Sequence, residues 1–339
     1  MDGKMITPLR IADCGLLISL VLATTAAVGP QTTGTPQRTR VVVAADGTGD
    51  YQTIQAAIDA VPQSTSASAR WTIAVQPGTY RERVYIQREK RFVNLVGSDP
   101  ERVIITYDLH ASMKGPDGLP IGTFRTPTVQ VDADDFTAEN ITFENTAGPV
   151  GQALALRVDG DRAAFRNCRF LGWQDTILLN RGRQYFEDSF ITGHVDFVFG
   201  GATAWFERCR LHCRRDGYIT AASTPAEAPD GFVFANGSIT GEPGARTYLG
   251  RPWRDFAQAT FLNTDMSAVV RPAGWHNWDR PEREKTTRYR EFGSRGPGGG
   301  TADRVAWARQ LTEAEARSLT VASVLAGADN WDPRASSLR

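Results

Sequence analysis

Two stretches of this chain are near-copies of each other, and their spacing restricts the fold more than any bulk property. In the segment FRNCRFLGWQDTILLNRGRQYFEDSFITGHVDFVFG, Phe165, Asn167 and Phe170 answer to Phe186, Asp188 and Ile191, 21 residues on. Ten residues after each leading Phe stands an aspartate, Asp175 and then Asp196. The same beat, a Phe followed five residues later by an apolar residue, recurs at Phe136/Ile141, Phe206/Leu211, Phe234/Ile239 and Phe261/Met266. The intervals between leading Phe residues are 29, 21, 20, 28 and 27. Periods of roughly 20 to 50 residues are the mark of a solenoid. Leucine-rich repeats share the period, but their Leu-x-x-Leu-x-Leu spacing is absent and aromatics lead instead. The pattern therefore predicts an all-β fold, a right-handed parallel β-helix with loops absorbing the unequal intervals. Its inward Phe residues should stack in ladders.

The flanking sequence agrees. From Trp71 to Tyr107 short β-branched runs alternate with Gly and Pro, as short strands do. Before them Thr53 can cap a short helix carrying Ile54, Ile58 and Val61, placed to cover the open end of the sheet. At the far end Thr312 and Glu315 form a capping box for a short helix that packs on the solenoid. Lys4 and Arg10 precede an apolar run from Cys14 to Leu22, followed by small residues, so residues 1–29 are expected to be a secretory signal peptide. The run is shorter than the roughly 20 apolar residues of a membrane span. The expected layout is leader 1–29, polar linker 30–40, β-helix catalytic domain 41–279, and a C-terminal arm with short helices at 280–339.

The chain of 339 residues balances 38 basic against 38 acidic residues, so no global field recruits nucleic acid or a membrane surface. Removing Cys14 with the leader leaves Cys168, Cys209 and Cys213. Cys168 and Cys209 both lie three residues after a leading Phe, two coils apart. That places them ~10 Å apart along the axis, beyond the ~7 Å reach of a disulfide. Buried free thiols are expected, and no second Cys or His pair stands at zinc spacing.

If the two copies are successive coils, Asp175 and Asp196 are neighbours at the ~4.8 Å strand spacing. Such a pair cannot ionise freely twice, and it supplies a proton donor beside an anion. Gln174 places an amide next to one of them, suited to an oxyanion. Spacing alone leaves two readings level: an active site, or an aspartate ladder bonded to turn backbone.

Several segments together resemble the pectin methylesterase (pectinesterase) family over roughly Val41 to Trp278. They are Val75–Tyr80, Ile141–Gly148, Gly151–Val158, Gly172–Thr176, Val195–Gly200, Tyr248–Trp253 and Gly274–Trp278. The resemblance implies a pectin-lyase-like β-helix that hydrolyses methyl esters of homogalacturonan without metal or cofactor, as a secreted (periplasmic or extracellular) monomer. It implies Asp196 as nucleophile and Asp175 as general acid and base. It implies Gln152 and Gln174 as oxyanion donors, and Arg251 as the guanidinium that keeps the nucleophile ionised. Trp253, Trp278, Phe199 and Phe124 would line the sugar groove. The chain departs from the pattern at His194, where a small hydroxyl residue is usual, at Leu178, commonly aromatic, and at Ser189, which replaces one half of a frequent bridge with Cys168. Action on another polysaccharide ester such as acetyl, β-helix glycoside hydrolysis or lyase action, and a non-catalytic carbohydrate-binding solenoid are the rival expectations.

Overall fold

A computed structural model describes residues 39–336. The leader and all but the last two residues of the linker lie outside them, and Arg40 already opens the first strand, Arg40–Val43. Each coil is built from a few short pieces. In the coil that leads to Asp175, Ala163–Arg166 runs in one sheet, and Asn167 turns the chain with φ of 46°. Arg169–Leu171 and Ile177–Leu179 then run in a second sheet, with Asp175 at the turn between them. The strands pair in parallel with counterparts in neighbouring coils, giving one sheet of eleven strands and another of thirteen. This is a parallel β-helix.

The expected aromatic ladder fills the interior. Phe165, Phe186, Phe206, Phe234 and Phe261 are register partners in turn. Their rings stack at centroid distances of 4.8, 4.7, 4.3 and 4.7 Å, with interplanar angles of 9–13°. All are buried, so the ladder combines apolar burial with aromatic stacking. The turn that follows each of these positions needs a left-handed residue, and Asn and Asp tolerate that conformation best. Asn167, Asp188, Asn236 and Asn263 occupy it, Arg208 takes it after Phe206, and Asn140 takes it one coil earlier, with φ between 46° and 58°.

The first rung differs from expectation. Phe165 pairs with Ala138, not with Phe136, so the repeat starts two residues later in that coil. The turn residue Asn140 keeps the true register, two residues after Ala138, just as Asn167 follows Phe165. Phe136 sits outside the strand and meets Phe165 obliquely, at 6.0 Å and 53°. The same shift makes Phe143, not Ile141, the partner of Phe170.

The helix Ile54–Asp59 is capped by the Thr53 hydroxyl, which accepts from Ala56 N–H, and it buries Ile54, Ala57 and Ile58. At the other end the sheet continues past 279, where the sequence placed the edge of the coil domain. Arg288–Phe292 pairs with Gln258–Leu262, and Arg309–Gln310 pairs with it in turn. Tyr289 and Glu291 of that strand point inward, and Glu291 is fully buried against Arg304 and the Trp275 indole N–H. The helices Glu313–Ser318, with its capping box, and Val321–Leu325 then pack Ala316, Val321, Val324 and Leu325 on Tyr185, Trp205 and Val233.

Candidate active site

Asp175 and Asp196 sit at the same turn of consecutive coils, both left-handed, with φ of 61° and 50°. Ile177 pairs with Val198, and Asp175 N–H donates to Val195 O at 3.0 Å, which seats one turn on the other. The long strand Phe190–Gly200 shifts register on either side of Val195, so it bends where Asp196 projects. Gln152 and Gln174 form a parallel backbone bridge one step away, which sets the two residues side by side in neighbouring coils.

Arg251 approaches from further along the axis, directly after the strand Thr247–Gly250. Its Nε donates to Asp196 Oδ1 at 2.9 Å and its Nη2 to Oδ2 at 2.7 Å, the two-pronged geometry that fits a carboxylate best. The guanidinium is held between two rings, Tyr218 at 3.9 Å and Trp278 at 3.7 Å from its carbon. Tyr218 is a site residue that the sequence reading missed. It pairs opposite Val195, next to Asp196, but only across a register shift of the long strand, so the repeat spacing carried no signal for it.

A cleft of about 300 Å³ is lined by Phe124, Gln152, Gln174, Asp175, Asp196, Phe199, Arg251, Trp253 and Trp278, together with Thr123 and Ala221. All nine residues named from the sequence therefore meet in one place. Leu154, Leu178, Phe199 and Ala221 make an apolar floor on which Trp253 and Trp278 pack. Trp253 stands edge-on to Phe199 at 5.7 Å and faces Phe124 at 6.5 Å. Leu178 belongs to that floor. His194 does not line the cleft; its ring stands edge-on to Trp173 at 5.7 Å, and burial lowers its pKa. Ser189 Oγ accepts the Cys168 N–H, and Cys168, Cys209 and Cys213 are buried free thiols.

The two aspartates are only 8% and 5% exposed. Burial, and then the neighbouring charge of Asp196, push the Asp175 carboxyl well above its ordinary range, with Arg251 opposing weakly. Burial raises Asp196 above its ordinary range as well, and the two bonds from Arg251 hold back only part of that rise. A single proton shared by the pair therefore rests on Asp175. The result is a neutral acid beside an anion, facing two amide donors across a small, largely apolar cleft. That arrangement can carry out acyl transfer at an ester carbonyl. No group of three or more His, Cys, Asp or Glu among the described residues could hold a metal ion.

Comparison with known proteins gives the family and the fold. The pectinesterase family model matches residues 40–328. The chain belongs to the pectinesterase family. Pectinesterase 31 of Arabidopsis thaliana is 44% identical over 286 residues, covering 82% of this chain and 90% of that relative. The solved pectin methylesterase from carrot superposes with a TM-score of 0.80 at 34% identity, covering 90% of this chain and 96% of the other. A pectin methylesterase solved in complex with a hexasaccharide superposes with a TM-score of 0.75 at 30% identity, covering 86% and 97%. Like these relatives, this pectinesterase is a carboxylic ester hydrolase built on a parallel β-helix.

Proposed function

We propose that this pectinesterase converts methyl-esterified homogalacturonan to pectate and methanol, with Asp196 as nucleophile and Asp175 as acid and base. An Asp196 oxygen attacks the ester carbonyl carbon, and the Gln152 and Gln174 amides donate to the oxygen that gains charge. As the tetrahedral adduct collapses, Asp175 gives its proton to the methoxy oxygen and methanol leaves. An anhydride then joins Asp196 to the sugar carboxyl. Asp175, now ionised, takes a proton from water as that water attacks the sugar carbonyl. Asp196 departs as a carboxylate and Asp175 is protonated again, while the new sugar carboxyl loses its proton to solvent and leaves as pectate. With that proton counted the two attacks balance, and nothing is required beyond water.

The observation that carries the assignment of roles is the pair of bonds from Arg251 to Asp196, which Asp175 lacks. A held, ionised carboxylate suits attack, and a buried carboxyl with a raised pKa suits proton delivery at neutral pH. The groove aromatics Phe124, Phe199, Trp253 and Trp278 suit the pyranose faces of a polysaccharide. Methanol release from pectin by the Asp196→Ala variant tests the reading; wild-type release would overturn it. Acetate release in place of methanol would favour the acetyl-ester reading, and new reducing ends or an unsaturated product the hydrolase or lyase reading. The family acts on cell-wall pectin. With the leader at 1–29, export followed by action as a monomer is part of the same proposal. No helix among the described residues is long and apolar enough to cross a membrane.

A further inference from the structure

The aromatic ladder ends on a carboxylate. The register partner of Phe261 in the strand Arg288–Phe292 is Glu291, which occupies the rung where a further ring would stack. Its Oε1 accepts from Arg304 Nε at 2.9 Å and from the Trp275 indole N–H at 3.1 Å. Its Oε2 accepts from Arg304 Nη2 at 3.1 Å and from the Ser294 hydroxyl at 3.2 Å. Glu291 is fully buried and the Arg304 side chain almost so. An apolar side chain would fill that rung at least as stably, because two buried charges give up their water. A core position that breaks the pattern of its own ladder marks a functional constraint.

The indole that Glu291 holds leads to Asp196. Trp275 bridges Gly250 in parallel, with Leu249 N–H donating to Gly274 O at 2.7 Å and His276 N–H to Gly250 O at 3.1 Å. Arg251, which grips Asp196, follows Gly250 directly. Three residues after Trp275, Trp278 lays its ring on the Arg251 guanidinium. Trp275 is buried and stacks on Tyr289 at 4.2 Å. Burial, and then the charge of Asp196, push the Tyr289 hydroxyl up, with Arg283 and Arg251 opposing, so the stacked pair lies within the field of Asp196. Arg304 fixes the same segment from the other side, donating to Pro272 O and Gly298 O, each at 2.9 Å. Gly274, with φ of 70°, makes room for it, because a Cβ there would stand 2.4 Å from Arg304 Cδ.

We propose that Glu291 is a positioning residue for Asp196, acting through the Trp275 indole to set the strand end and the ring that hold Arg251. The inference rests on the roles proposed above for Asp196 and Arg251. Glu291 lies in the interior, on the ladder, and acts only through the groups it holds. Its carboxylate fixes the direction of the indole N–H, hence the line on which Gly274–Trp278 runs beside Gly250. Two charged groups bear on Asp196, Arg251 in its favour and Asp175 against it. A small displacement of the guanidinium weakens the first and leaves the second, so Asp196 ionises at a higher pH. It also moves the attacking oxygen, and errors of about an ångström cost about a hundredfold in rate.

The test uses the full chain and reads kcat, KM and the acid limb of the pH–rate profile for methanol release from esterified pectin. Trp275→Phe keeps the ring and removes the N–H. Glu291→Leu/Arg304→Leu replaces the ion pair with apolar side chains and is expected to melt no lower than wild type. Both are expected to lower kcat about tenfold at nearly unchanged KM, and to move the acid limb up by about half a pH unit. Adding Trp275→Phe to the double variant should cost nothing more, because both act through one bond. Wild-type kcat and an unmoved limb in Trp275→Phe and in the folded double variant would overturn the role of Glu291; if the double variant fails to fold, Trp275→Phe decides alone. Wild-type methanol release by Asp196→Ala would remove this inference and the esterase roles together. An inactive Asp196→Ala beside unmoved limbs would remove the positioning role and leave the esterase reading standing.

Discussion

Asp175 and Asp196 stand at one turn of two successive coils, with like backbone angles and paired apolar neighbours in Ile177 and Val198. The coil of Asp196 has one thing the coil of Asp175 lacks, the guanidinium of Arg251 clasped between Tyr218 and Trp278. A repeat places two identical groups close together at no extra cost in design. A single contact from outside the repeat then makes them unequal, and unequal groups are what acid–base chemistry requires.

The largest expected effect comes from removing the held carboxylate. Asp196→Ala should lower methanol release by about a thousandfold or more, with the fold unchanged by circular dichroism. Asp175→Asn removes the proposed proton donor and should lower turnover about a hundredfold to ten-thousandfold. It carries a second signature in stability. Burial raises the Asp175 pKa in the folded protein, so the folded state holds that proton more tightly than the unfolded chain does. Its favourable contribution is complete below the ordinary carboxylate pKa and is lost as pH rises through the raised folded value. Thermal unfolding should therefore show Asp175→Asn gaining Tm relative to wild type as pH rises above about 4, and a gap that ignores pH would count against a buried acid.

Intermediate effects probe the asymmetry itself. Arg251→Lys keeps the charge but loses the planar two-pronged grip. Asp196 then protonates more readily, so the acid limb of the pH–rate profile should move to higher pH, and an unmoved limb would show that Arg251 does not set the ionisation. Gln152→Ala and Gln174→Ala should each cost about a hundredfold in kcat, as loss of one oxyanion donor does. The smallest effect belongs to Tyr218→Leu. It removes one face of the clamp and should lower kcat a few-fold, moving the acid limb in the same direction as Arg251→Lys but less far.

Much of this was legible in the chain because a solenoid writes its register as a spacing. The 21-residue offset that pairs Phe165 with Phe186 also pairs the two aspartates, and it keeps Cys168 apart from Cys209 with Ser189 between them. Counting from aromatics failed at Phe136, where Ala138 holds the inward position, because the register follows the left-handed turn at Asn140 and not the aromatic. The strand Arg288–Phe292 was hidden by its charges. Arg288 and Arg290 point outward, and the inward Glu291 is buried against Arg304, an ion pair that reads in sequence as solvated surface. Tyr218 was hidden for a different reason. Its partner Arg251 lies a full coil away, and no local pattern joins an aromatic to a cation at that distance.

The buried cysteines have a practical use. Burial pushes Cys168, Cys209 and Cys213 each up to about 12, so a native thiol is both shielded and almost wholly un-ionised. An alkylating reagent can then react only when a coil opens. Cys168 lies in the coil that presents Asp175, and Cys209 and Cys213 lie in the one after Asp196. The rates at which these thiols are labelled form a set of internal clocks, timing how often each side of the reaction centre comes apart.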